Sequence, residues 1–95
     1  PRLLFSAYQA LKPGGTLLYA TCSFAPEENE AVVDKLLKKE PGATLRPIDL
    51  PIENQKEGLT RWGKKAFDDA VTHCVRVLPT ETMEGFFLAK IKKEP

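Results

Sequence analysis

The sequence predicts an α/β fold: the tail of a doubly wound sheet, with three strands, the last of them antiparallel, and helices flanking them. Three observations predict it. A helical stripe, an apolar run and a second helical stripe alternate through residues 1–40, the rhythm of strands joined by covering helices. The run Leu17-Leu18-Tyr19-Ala20 is apolar at successive rather than alternate positions, as in a strand covered on both faces. Two later apolar runs, Cys74 to Leu78 and Gly85 to Ile91, are separated only by Pro79 to Glu84. That gap is short enough to join them as an antiparallel pair.

Each element has its own signals. Leu3, Leu4, Ala7, Tyr8 and Leu11 form one apolar stripe at helical spacing. That helix stops near Leu11 or Lys12, because Pro13 disfavours helical geometry in the residue before it and Gly14-Gly15 supplies a turn. The strand from Thr16 to Cys22 follows. Pro26 suits the first position of the next helix. Glu27, Glu28 and Glu30 complement its positive end, and Lys35, Lys38 and Lys39 its negative end. Asn29, Val32, Val33, Leu36 and Leu37 make its inward face, and Pro41-Gly42 ends it. Residues 43–72 are the least readable. Thr44-Leu45-Arg46 reads as a short strand, and Pro47, Pro51 and Gly58 punctuate a loop.

Composition bounds the function. A chain of 95 residues is at most one small domain. It opens at Pro1 and enters a helical pattern at once, which reads as a single partial domain, residues 1–95, cut from a longer protein. The net charge of +1 carries no signature of a strongly basic nucleic-acid binder. The two cysteines, Cys22 and Cys74, form no C-x-x-C, and the lone His73 sits beside Cys74 rather than at ligand spacing, so no metal is expected. No apolar stretch reaches the roughly 18 residues of a membrane span and no secretory leader is present, so no membrane partner is expected. Free thiols fit a reducing cytoplasm.

Thr21-Cys22-Ser23 carries the chemistry. Cys22 stands at the end of the first strand, just before a helix start, in the crevice where open α/β sheets bind ligands. A thiol there is either a small hydrophobe or a nucleophile. The surrounding motifs favour the second. Lys12-Pro13-Gly14-Gly15-Thr16-Leu17 is similar to the turn before the fifth strand of class I S-adenosylmethionine-dependent methyltransferases, a Rossmann-like fold. Thr21-Cys22-Ser23 with Pro26-Glu27-Glu28-Asn29-Glu30 resembles, more specifically, the RNA 5-methylcytosine methyltransferases of the Nop/Sun (Fmu-like) family. Arg76-Val77-Leu78-Pro79 and Gly85-Phe86-Phe87-Leu88-Ala89-Lys90 look like that family's closing strand pair. The resemblance covers residues 1–40 and 74–93 well and 43–72 poorly.

The resemblance implies the C-terminal portion of a methyltransferase catalytic domain, acting on tRNA or rRNA. It places the nucleophile on Cys22, which adds to carbon 6 of cytosine, with Thr21 and Ser23 positioning the loop or touching substrate. It implies S-adenosyl-L-methionine as cofactor, bound mostly upstream of these residues, where the rest of the catalytic domain and a second, assisting cysteine are also expected. Cys74 does not match that second motif and reads as structural. The family's glycine-rich cofactor loop and its ribose-holding acidic residue have no counterpart here, and Thr80 stands where the family often carries histidine. Arg61, Trp62, Lys64 and Lys65 suit an RNA backbone with one stacked base, or else a solvated face with a packed tryptophan. Arg76 contacts phosphate or pairs with a local acid. Two further readings stand beside the first: a class I methyltransferase with another substrate, and a non-catalytic RNA-binding module. The expected sheet order is first strand, last strand, middle strand, with one helix on either face and one edge of the first strand unpaired.

Overall fold

The structure is a computed structural model that describes residues 2–95. Helix α1 (Arg2–Ala10) leads into a turn in which Gly14 adopts φ +84°, a left-handed conformation that favours glycine. Strand β1 (Thr16–Thr21) follows and ends one residue before Cys22. Then come α2 (Glu30–Lys39), β2 (Ala43–Arg46), β3 (Gln55–Glu57), β4 (Arg61–Trp62) and β5 (Lys65–Ala66). A short 3-10 turn (Asp69–His73), β6 (Val75–Val77) and β7 (Phe86–Lys93) complete the chain.

The last strand is the centre of the sheet. One edge of β7 pairs with β1 along its length, from Thr16 opposite Lys92 to Thr21 opposite Phe87. Its other edge is shared: β6 takes Phe86–Leu88 and β2 takes Lys90–Lys93. Every pairing is antiparallel, so β1 and β6 run the same way with β7 reversed between them. This is the expected order of first, last and middle strand. Two strands extend it: β2 beside β7, and β3 beyond β6. The strand expected at Thr44–Arg46 is β2.

Directly opposed residues share a face. Leu17, Tyr19 and Thr21 of β1 therefore lie with Ile91, Ala89 and Phe87 of β7 and Leu45 of β2. Against that face pack Leu4 and Tyr8 of α1 and Val32, Val33 and Leu36 of α2, in one continuous core with Phe67, Val71 and Cys74. Each such large apolar side chain contributes about 1.5–3 kcal/mol by leaving water. Both helices thus cover the same face, and the expectation of one on either side is not met. The physical reason lies in β7, where the apolar alternation Phe87, Ala89, Ile91 points one way and Lys90 the other. On that second face Leu18 stands opposite Lys90 and is 61% exposed. Strand β1 is accordingly half-buried at alternate residues rather than covered on both sides.

One helix face and one helix boundary also differ from the expectation. The apolar stripe of α1 is narrower than the periodicity implies: Leu4 and Tyr8 are buried, whereas Leu3 is 82% exposed. Helix α2 begins at Glu30 rather than Pro26. Residues 26–29 form turns, with Glu28 and Asn29 donating backbone bonds to the Ala25 and Pro26 carbonyls. Asn29 leaves helical geometry (φ −113°, ψ −95°) because its side chain is drawn back toward β1.

Candidate active site

Cys22 is exposed at the end of β1, on a bend that turns the chain toward α2. Its neighbours on both sides are held. The Thr21 hydroxyl donates to Asn29 Oδ1 at 2.5 Å. Asn29 Nδ2 donates to the Ser23 carbonyl at 2.8 Å. Ser23 Oγ accepts from the Ala25 backbone N–H at 3.1 Å, a local turn typical of serine. Tyr19, two residues before the end of β1, donates its hydroxyl to the Glu28 carbonyl at 2.9 Å. The loop from Cys22 to Asn29 is thereby tied at both ends to rigid elements while the thiol stays open to solvent.

A buried ion pair lies beneath that loop. Glu30, read from the sequence as a helix-start acid, is fully buried and accepts from Arg76 Nε at 2.5 Å and Nη2 at 2.6 Å. Such a bidentate fork is the strongest form of this interaction. Glu30 Oε2 also accepts from the Leu59 N–H at 2.8 Å, and Arg76 Nη1 donates to the Phe24 carbonyl at 3.2 Å. One ion pair therefore joins α2, β6, the Cys22 loop and the chain near Gly58. The sequence allows Arg76 two roles, binding phosphate or pairing with a local acid. The geometry gives the acid: its guanidinium is buried against Glu30 and is directed to the underside of the loop.

The second cysteine behaves differently. Cys74 is buried in the core beside this pair. Burial first, and then the nearby Glu30 charge, push its thiol up to about 12 against the opposing effect of Arg76. A thiol so held stays protonated at neutral pH and is a poor nucleophile.

The structure brings Arg61, Trp62, Lys64 and Lys65 together on one hairpin, apart from the Cys22 loop in the chain. Strands β4 and β5 pair Arg61 with Ala66 and Trp62 with Lys65, and Gly63 turns between them at φ +61°. The Phe67 N–H donates to the Thr60 carbonyl at 2.8 Å and closes the hairpin, with the Phe67 ring in the core as its anchor. All three cations are exposed and Trp62 is half-exposed. Between this hairpin and α2 runs a groove of about 510 Å³ floored by Ala31, Val32 and Phe67, with Trp62, Lys35 and Lys65 on its rim. Cys22 does not line it.

Sequence reasoning missed Asn29 and Glu30 as members of the site. Both lie in Pro26-Glu27-Glu28-Asn29-Glu30, so the signal was present. What it lacked was the fold that sets Asn29 against Thr21 and Glu30 against Arg76.

Comparison with known proteins gives the arrangement a lineage. Residues 1–92 match the family model described as 16S rRNA methyltransferase RsmB/F. The chain is 42% identical over 93 residues to the tRNA (cytosine(49)-C(5))-methyltransferase of Pyrococcus abyssi, covering 97% of this chain and 29% of that protein. It is 41% identical to the human 28S rRNA (cytosine(4447)-C(5))-methyltransferase, covering 96% of this chain and 12% of that one. The crystal structure of a methyltransferase homologue from Pyrococcus horikoshii superimposes with a TM-score of 0.85 at 35% identity, over 97% of this chain and 29% of that one. The chain therefore spans less than a third of the length of these relatives. By the family model and by these likenesses, the chain belongs to the RsmB/F family of methyltransferases.

Proposed function

We propose that these residues are the C-terminal part of the catalytic domain of an RNA (cytosine-5) methyltransferase acting on tRNA or rRNA, and that Cys22 is its nucleophile. The observation that carries the proposal is the exposed thiol at the end of β1, with the residues on either side of it braced. Carbon 5 of cytosine is a poor nucleophile. Addition of the Cys22 sulfur to carbon 6 forms an S–C6 bond and makes carbon 5 enamine-like. Carbon 5 then accepts a methyl group, loses its proton to a base, and the C6–S bond breaks as the ring double bond returns. Thr21 and Ser23 hold the loop for this attack or meet the substrate beside it. Arg61, Trp62, Lys64 and Lys65 meet the RNA at a second place, cations to phosphate and indole to base.

S-adenosyl-L-methionine supplies the methyl group in such an enzyme, and Gly14-Gly15 is not the glycine-rich turn that would cradle it. Gly14 and Gly15 lie in a helix-to-strand turn, whereas a nucleotide fingerprint opens a helix after a strand. A Cβ at Gly15 would meet its own neighbours, the Leu11 side chain and the Lys12 carbonyl, so this glycine serves the turn itself. We place the cofactor site mostly upstream of these residues in the whole protein.

The test is Cys22→Ala in the full-length protein, incubated with cofactor and RNA containing 5-fluorocytidine. Fluorine cannot leave as a proton does, so the unaltered enzyme is expected to be trapped as a covalent adduct and the variant to form none. A variant that still traps would remove Cys22 from the role.

A further inference from the structure

Asn29 occupies the cap position of α2 but does not cap it. An asparagine there ordinarily accepts a bond from a backbone N–H one turn inside the helix, worth about 1 kcal/mol. Asn29 makes no such bond. Its carboxamide is fully buried and turned toward the end of β1. There it spans two residues that are not adjacent to each other: Oδ1 takes the Thr21 hydroxyl at 2.5 Å, and Nδ2 gives to the Ser23 carbonyl at 2.8 Å. The residue between them is Cys22.

The orientation of the amide is dictated by chemistry. The Ser23 carbonyl only accepts, so the NH₂ must face it, and the Thr21 hydroxyl is left to donate to the carbonyl side. Neither aspartate nor leucine, of similar size, can satisfy both partners. The backbone of Asn29 is fixed in turn, since its N–H donates to the Pro26 carbonyl and its carbonyl accepts from Val33. The brace is therefore anchored in α2 and grips the chain one residue before and one residue after the thiol.

We infer that Asn29 is a positioning residue for Cys22, its carboxamide tying Thr21 and Ser23 to the start of α2 and so fixing the line along which the sulfur meets carbon 6. The inference rests on Cys22 being the nucleophile. Asn29 itself touches no reacting atom. Its effect is on approach geometry, where a displacement of about 1 Å costs on the order of a hundredfold in rate.

The experiment uses the full-length enzyme with RNA substrate and compares Asn29→Ala, Asn29→Asp, Thr21→Val and the Thr21→Val/Asn29→Ala double variant. The expected result is a fall in kcat of about ten- to a hundredfold for Asn29→Ala, with KM for RNA held within about twofold, the pattern of an interaction needed for reaction rather than binding. Asn29→Asp keeps the acceptor for Thr21 but sets a carboxylate against the Ser23 carbonyl, so it is expected to share the defect; it repeats the test should the alanine variant not fold. The double variant is expected to be no slower than Asn29→Ala alone, because both changes break one brace. Unaltered kcat in the Asn29 variants, a KM rise that accounts for the whole loss, or fully additive defects would overturn the inference. Cys22→Ala is run alongside with 5-fluorocytidine RNA. If it still forms adduct, the nucleophile assignment falls; if it does not, and the Asn29 variants trap at the normal rate, only the brace falls.

Discussion

Glu30 illustrates how one residue serves the fold and the site together. Its carboxylate is fully buried, and every hydrogen bond it accepts comes from another part of the chain: two from Arg76 and one from the Leu59 backbone. A satisfied buried pair contributes modestly against a hydrophobic equivalent, but removing one member leaves an unpaired charge and costs about 3–5 kcal/mol. Glu30→Gln in the full-length protein is expected to lower the denaturation midpoint by a loss of that order, because a buried Arg76 is left without its counter-charge. Chemical denaturation followed by circular dichroism measures it, and an unchanged midpoint would mean that Arg76 can reach water. Arg76→Lys is expected to rescue little, since an ammonium cannot reproduce the fork that also reaches Phe24. At this scale the sequence was legible where chemistry is local. Cys22 announced itself through its immediate neighbours. Glu30 did not, because three glutamates at a helix start look alike, and what separates Glu30 from Glu27 and Glu28 is an arginine 46 residues further on.

Among the elements, α1 could be read from its helical period, and β1, β6 and β7 from their apolar runs. The stretch from Pro47 to His73 could not. Its strands have two or three residues, too few to show a period. Much of its order comes from side chains bonding backbone: Gln55 to the Leu50 and Ile52 carbonyls, Asn54 to Leu78, Asp68 to the Ala70 N–H that opens the 3-10 turn. Such bonds leave no pattern in the order of residue types. The β4–β5 hairpin is the part of this stretch proposed to meet RNA. Its cations face solvent and its anchor, Phe67, faces the core, so the charges can be changed without disturbing packing. Lys64→Glu with Lys65→Glu in the full-length enzyme is expected to weaken RNA binding and to flatten its salt dependence. The slope of log affinity against log salt should fall by about 0.7 for each single-strand phosphate that the variant no longer neutralises. Adduct formation at saturating RNA should persist. Filter binding at several salt concentrations reads the slope, and an unaltered slope would return the hairpin to a solvated surface.

For the molecule as a whole, the helices on one face leave the other face of β1 open. Leu18 is largely exposed there, and β1 is an end strand of its sheet, with β7 as its one partner among the described residues. An apolar edge strand is a template for another chain. The 95 residues prepared alone are expected to self-associate, seen as a light-scattering mass above the 10.6 kDa of a monomer, and Leu18→Lys should reduce it. A clean monomer at high concentration, with slow amide exchange along both edges of β1, would count against this. The continuous apolar run Leu17-Leu18-Tyr19-Ala20 does carry the signature of a strand covered on both sides. Among the described residues nothing covers the Leu18 side, so the apolar run and the exposed face differ.

The place of β7 has a consequence for how the protein is made. Among the described strands it leaves the ribosome last, yet β1, β2 and β6 all pair with it. Until it emerges, β1 and β2 lack their partner among the described strands, β6 has only β3, and the residues that lead into Cys22 have no register against β7. The loop from Cys22 to Asn29 can close locally, but β1 cannot be laid straight until Phe87 arrives opposite Thr21. Pairings this distant in sequence are slow to form, and synthesis at about 5–20 residues per second adds a further wait. A message cut short at Glu84 would lose all of β7 and yield a chain that retains Cys22 with no strand opposite the residues that lead into it.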